Sequence, residues 1–144
     1  MPHTKALGFD LIVLEGDFVT IKMPYSDKIL GNQEEGIIHG GAVTTLIDTA
    51  CATAVFLKHF NFNYSLEMYP TLDLRVDYMC ASETKADVYV RAECFRISRD
   101  VAFSRGVAYN HDLSSPIATG VGSFMRIKNS FTSSFFKEKN SFGE

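Results

Sequence analysis

The chain has 144 residues and a formal net charge of −3, with 14 Lys+Arg against 17 Asp+Glu. That length supports one hydrophobic core, and 46% hydrophobic with 22% charged residues excludes a disordered chain. The acidic balance leaves no general basic field for a phosphate backbone, so no nucleic-acid partner is expected.

The opening Met1-Pro2-His3-Thr4-Lys5 lacks the charged head and apolar run of a signal peptide. No stretch approaches about 18 uninterrupted apolar residues, so no membrane span is expected. Cys51, Cys80 and Cys94 each sit in an apolar run rather than in a Cys-x-x-Cys pair. They read as small buried hydrophobes in a reducing compartment, which points to a cytoplasmic location.

Two short β-like runs open the chain, residues 9–14 and 18–23, joined by the turn Glu15-Gly16-Asp17. The polar residues 24–36 read as a loop. From Ala42 to about His59, the residues Val43, Leu46, Ile47, Ala50, Cys51, Ala54, Val55 and Leu57 recur at helical spacing. The stretch is so rich in Ala and Thr that neighbours can approach it closely, which predicts a buried central helix. After a loop over residues 60–70, alternation predicts strands. Leu72, Leu74, Val76 and Tyr78 share one face, and a second strand starts at Val88.

A third strand covers residues 101–109 after the turn Ser98-Arg99-Asp100. The last covers residues 117–127, where Gly120 and Gly122 allow a bulge or close packing. The order is strand, strand, long helix, then four strands in a meander with antiparallel pairing. The architecture expected is α+β, a sheet of about six strands curled around one helix. Residues 1–128 form the domain. The tail 129–144 is expected to be frayed, with Phe131, Phe135 and Phe136 able to dock as a short helix.

Chemistry concentrates in Asn32-Gln33-Glu34-Glu35-Gly36-Ile37-Ile38-His39-Gly40-Gly41 and in Asp48. Gly40 and Gly41 stand where the helix begins. Backbone N–H groups there lack internal partners, and the helix dipole is positive. With no side chain in the way, a polarised carbonyl or an oxyanion can reach them. The plainer reading of Gly-Gly is a tight loop entry. Asp48 lies mid-helix among the small residues Thr44, Thr45, Cys51 and Ala52, with no Lys or Arg within a turn. A carboxylate in such a pocket is costly unless partnered; the alternative is a solvated Asp on an exposed strip. Eight residues separate Gly40 from Asp48, about 12 Å along a helix. Two antiparallel helices in a two-fold dimer would bring one chain's Gly40 to the other's Asp48, giving two shared sites.

Gly36-x-x-His39-Gly40-Gly41 with an acid nine residues after the His resembles the hotdog-fold acyl-CoA thioesterases, closest to the phenylacetyl-CoA and 4-hydroxybenzoyl-CoA thioesterase-like branch. The likeness runs from about Leu7 to Ile127 and includes the strand from Thr71 to Met79 and the closing Ala118-Thr119-Gly120-Val121-Gly122-Ser123-Phe124. It implies a hotdog fold and hydrolysis of an acyl-CoA thioester, by a homodimer or homotetramer, with no metal or redox cofactor.

By that resemblance Asp48 is the catalytic carboxylate, nucleophile or general base, and Gly40, with Gly41 beside it, offers the backbone donor to the thioester carbonyl. Gln33 falls where the family carries an Asn or Gln that orients water or the carboxylate. His39 shapes the helix start and contacts the thioester region. Some members carry Ser or Thr four residues after the acid; here Ala52 stands there, and Thr49 or Thr53 would have to compensate. The CoA nucleotide would lie near basic residues, with Arg75, Arg99, Arg126 and Lys128 as candidates.

Other chemistries fit poorly. Gly120-Val121-Gly122-Ser123-Phe124 is neither a nucleophile elbow nor, with Met125 following, a dinucleotide loop. The cysteines and His3, His39, His59 and His111 show no metal spacing, so no metal is expected. His59 and His111 read as surface or loop residues. Two alternatives stay open: a non-catalytic acyl-CoA or lipid-binding module of the same fold, and a hydroxyacyl-thioester dehydratase.

Overall fold

A computed structural model describes residues 2–63 and 67–127; the expectations for Lys128 and for the 129–144 tail lie outside them. The elements are α1 (Pro2–Ala6), β1 (Asp10–Glu15), β2 (Phe18–Met23), β3 (Leu30–Asn32), β4 (Ile37–Ile38), α2 (Gly40–Asn63), β5 (Thr71–Tyr78), β6 (Val88–Ile97), β7 (Val101–Tyr109) and β8 (Ala118–Met125). One antiparallel sheet runs in the order β1-β2-β6-β7-β8-β5, and β3-β4 form a small second sheet. α2 packs on β2, β5, β6, β7 and β8. This is the α+β architecture that the helical and alternating patterns predict.

Burial follows the strand period. Val88, Val90, Ala92 and Cys94 of β6 and Ala102 and Ala108 of β7 are buried against Leu46, Ile47, Ala50, Cys51 and Val55 of α2. The inner face is cut away where the helix crosses it. A Cβ on Gly120 would stand 2.5 Å from Ile47 Cγ2, and one on Gly106 would stand 3.1 Å from Val90 Cγ1 and 3.4 Å from Cys51 Sγ. Gly120 therefore serves close packing, one of the two roles open to it.

Several expectations need correction. The late strands are not a four-strand meander: α2 carries the chain across the sheet, so β5 enters at the far edge and pairs with β8. Residues 24–36 are not loop throughout. A 3-10 turn over Asp27–Ile29, capped by Ser26, leads into β3, and Ile29 and Ile38 are buried anchors. α2 reaches Asn63, into the expected loop, and α1 was not anticipated.

Cys51 and Cys94 are buried, as expected, and burial pushes the Cys51 thiol up to about 12. Cys80 is exposed instead, because it follows the edge strand. His59 is 1% exposed rather than at the surface, held by Tyr69 and Glu67. By length and composition Gly40–Asn61 is apolar enough to cross a bilayer, although polar residues interrupt its apolar runs. Its role as the core helix of the sheet accounts for that composition.

Gly120→Ala is expected to lower the unfolding free energy by about 1–3 kcal/mol, because Ile47 has no room to retreat. The denaturation midpoint measures it.

Candidate active site

The entrance to α2 is held from both sides. The His39 N–H donates to the Ile29 carbonyl at 2.8 Å, and the His39 carbonyl accepts the Ala42 and Val43 N–H groups at 2.9 and 3.4 Å. The His39 ring folds back, and its Nδ1 accepts the Gly41 N–H at 2.8 Å. A Cβ on Gly41 would lie 2.8 Å from that nitrogen, so residue 41 is glycine beneath an imidazole. Gly40 is glycine beneath a phenol: a Cβ there would lie 3.3 Å from Tyr78 Cε1. The Tyr78 hydroxyl donates to the Gly40 carbonyl at 2.8 Å, and the Thr44 hydroxyl meets the phenol oxygen.

These contacts narrow the donor set. Gly41, Ala42 and Val43 spend their N–H groups internally. Among the described residues no hydrogen bond engages the Gly40 N–H, which leaves it for an oxygen from another molecule.

Asp48, half-buried on α2, lies at a second place. Its Oδ1 accepts the Thr71 hydroxyl at 2.8 Å. The carboxylate opens on a cleft of about 370 Å³ whose apolar wall includes Ala52, Phe56, Met68, Tyr69 and Pro70. Thr49 and Thr53 line the same cleft, but their hydroxyls donate one turn back, to the Thr45 and Thr49 carbonyls at 2.8 and 2.7 Å. Neither donates to Asp48. The neighbour that does is Thr71, which the sequence reading did not single out. A register shift between Thr71 and Asp73 turns Thr71 toward the helix, and simple alternation does not reveal it.

Glu67 also borders this cleft, buried and tied down. Both Arg126 guanidinium nitrogens Nε and Nη2 donate to it, the latter at 2.9 Å, and His59 Nε2 lies 3.3 Å from Oε2. Arg126 is therefore committed to the fold rather than open to a nucleotide. Arg75 pairs with Asp77 on the outside of β5. Arg99 stands exposed in the β6–β7 turn, 4.0 Å from Asp100. Gln33 is exposed in the β3–β4 turn, where the Asn32 side chain caps the Glu34 and Glu35 N–H groups. Among the described residues no hydrogen bond links Gln33 to His39 or Asp48, and no group of three His, Cys, Asp or Glu side chains is placed to hold a metal ion.

Gly40 and Asp48 are thus on one helix, about 12 Å apart along its axis, and in different clefts. Gly40 lines a smaller one, about 180 Å³, with Tyr78, Cys80 and Ser82. The edge strand β5 touches both: Thr71 at its start holds Asp48, and Tyr78 at its end holds Gly40.

Residues 35–116, 57% of the chain, match the family described as the Thioesterase superfamily. A curated relative, the medium/long-chain acyl-CoA thioesterase YigI of Escherichia coli strain K12, is 30% identical over 88 residues. The match takes in 55% of this chain but only 57% of that protein's length. The YigI protein of Salmonella typhimurium is 26% identical over 121 residues, 78% of this chain and 77% of that one. Among solved structures, a protein of Pseudomonas aeruginosa is 43% identical with a TM-score of 0.77, over 88% of this chain and 91% of that one. The E. coli PaaI protein from the phenylacetic acid degradation operon shares the fold at 20% identity and a TM-score of 0.74, over 89% of this chain and 86% of that one.

Gly41→Ala is expected to keep the unfolding free energy within about 1 kcal/mol of wild type, since Ala favours the helix and the imidazole can swing away. The displaced ring would leave the residue 41 amide unprotected, which hydrogen exchange reads.

Proposed function

The chain belongs to the thioesterase superfamily, and on that footing we propose that it hydrolyses acyl-CoA thioesters to free acid and CoA. The observation that carries the reading is the pairing of an unengaged Gly40 N–H at a helix start with an Asp48 carboxylate held by Thr71 at the mouth of an apolar cleft. The thioester oxygen lies against the Gly40 N–H, where negative charge grows as the carbon becomes tetrahedral. One such donor is worth about 10²–10³ in rate. Asp48 either attacks the carbon or takes a proton from a water that does; collapse of the adduct expels the CoA thiolate.

The working site is shared across a homodimer, because one rigid helix cannot bring both groups to one carbonyl. β5 is the outermost strand, with Leu72, Tyr78 and Met79 exposed along it. Antiparallel pairing of two β5 edges about a two-fold axis near mid-strand would bring the Thr71 end of one copy to the Tyr78 end of the other. Asp48 would then face the partner's Gly40. Remaining exposed apolar residues such as Phe95 and Val121 suit further assembly of dimers into a homotetramer. His39 stands beside the same carbonyl, and Gly41 supports it by seating that ring. Thr49 lines the acyl cleft. The nucleotide end of CoA lies outside, toward Arg99 and Arg75. Gln33 approaches the carboxylate only in the assembled dimer. The apolar wall of Phe56, Met68 and Tyr69 suits an alkyl acyl group, in keeping with the names of the curated relatives. Free cysteines suit a reducing, cytoplasmic setting.

Release of CoA from a panel of medium-chain and aromatic acyl-CoAs tests this. Asp48→Asn is expected to lose about 10²–10⁴ in kcat. Thr71→Val is expected to lose about 10- to 100-fold and Thr71→Ser far less, since a hydrogen bond to a charged group is removed in one and kept in the other. Equal rates for wild type and Asp48→Asn would favour a binding module, and a change in enoyl absorbance without CoA release would favour a dehydratase.

A further inference from the structure

We infer that Tyr78 is a positioning residue which acts through the Gly40–Gly41 peptide on His39, fixing both the proton position on the imidazole and the direction of the Gly40 N–H. The inference rests on the thioesterase reading above and adds a residue to it.

Proton counting sets the direction of the chain. The phenol has one proton, and it goes to the Gly40 carbonyl, which can only accept. The contact between Thr44 and the phenol oxygen must then use the threonine's proton. The next link is covalent: the Gly40 carbonyl and the Gly41 N–H belong to one planar, conjugated peptide. That N–H donates to His39 Nδ1 at 2.8 Å. The series runs one way, from Thr44 hydroxyl to Tyr78 hydroxyl to peptide to imidazole, so each bond polarises the next.

The chain has a chemical consequence at its end. With Nδ1 accepting, the neutral ring carries its proton on Nε2. His39 is exposed, and Nε2–H is the donor turned away from the helix, available to the same bound thioester. Tyr78 also packs tightly on Gly40, with Cε1, Cζ and the hydroxyl 3.3–3.4 Å from where a Cβ would be, so the phenol and the glycine backbone are held together at the helix start. Within one chain burial does not account for this hydroxyl, since Tyr78 is 54% exposed. The bonds tie the phenol to the helix entrance before any partner covers it.

The test combines kinetics with the imidazole ¹⁵N signals of His39, in the full chain, with octanoyl-CoA as substrate. Tyr78→Phe is expected to lower kcat about 5- to 10-fold with KM within about twofold, because the Gly40 N–H and the imidazole are then less well aimed at the oxygen on which charge grows in the transition state. The His39 nitrogens are expected to move from the pure Nε2–H pattern toward a mixture of tautomers. Thr44→Val, which removes only the hydroxyl that feeds the phenol, is expected to shift the same signals in the same direction by less, and it stands in should Tyr78→Phe fail to fold. Unchanged nitrogen signals in these variants would overturn the inference, whatever happens to the rate. So would an unchanged kcat in Tyr78→Phe beside an active wild type. A wild-type chain that releases no CoA would instead overturn the thioesterase reading, and the nitrogen signals would still decide the role of Tyr78.

Discussion

One helix carries both halves of the proposed site, and its rigidity holds them about 12 Å apart. Gly40 lies in the first turn and Asp48 more than two turns on. No side-chain rotation brings the carboxylate to an oxygen seated on the Gly40 amide. The fold answers with an edge strand. β5 runs along α2 and binds each half once, through Thr71 to Asp48 and through Tyr78 to Gly40. Its outer edge is unpaired within the sheet. In the proposed dimer, two copies joined there in antiparallel fashion would bring unlike ends together.

The precision of the site depends on packing beneath it. α2 sits close to the sheet because β7 and β8 present Ala, Ser and Gly where a larger strand would present Val or Ile. Gly120 against Ile47 is the tightest of these approaches. At the far end of the cleft the buried Glu67 is held by Arg126 and His59, with Tyr69 on the other His59 nitrogen. That cluster pins the segment before β5 against the end of α2, and Thr71 follows it. Removing Arg126 would take the guanidinium from a buried carboxylate, which costs more than the intact pair gains.

Much of this was legible in the sequence, for identifiable reasons. β2 and β7 fall on the residues their alternation marks, since hairpin strands with one buried face have a clear period of two. α2 was legible because its apolar residues recur at helical spacing, and Asp48 stood out on it because a mid-helix Asp with no nearby cation is unusual. What stayed hidden depends on register and on contacts distant in sequence. The placement of β5 beside β8 follows from where a 24-residue helix delivers the chain. Thr71 faces Asp48 only through a local register shift. His59 reads as a loop residue until the helix is seen to extend past it to meet Glu67 and Tyr69. The two glycines were read as one feature, a bare helix start. In the fold they are two: Gly41 makes room for His39, and Gly40 makes room for Tyr78, with no hydrogen bond among the described residues to its own N–H.

Subunit complementation tests most directly whether the two halves meet across a dimer. Asp48→Asn and Gly40→Val chains are each expected to be inactive alone, the second because its side chain would collide with the Tyr78 ring. In a hybrid of the two, one site combines an intact Gly40 with the partner's intact Asp48, and the other site has neither. The account predicts that hybrids regain about half the wild-type rate per dimer. Hybrids that form, as shown by differently tagged subunits co-purifying, yet stay as inactive as their parents would contradict it.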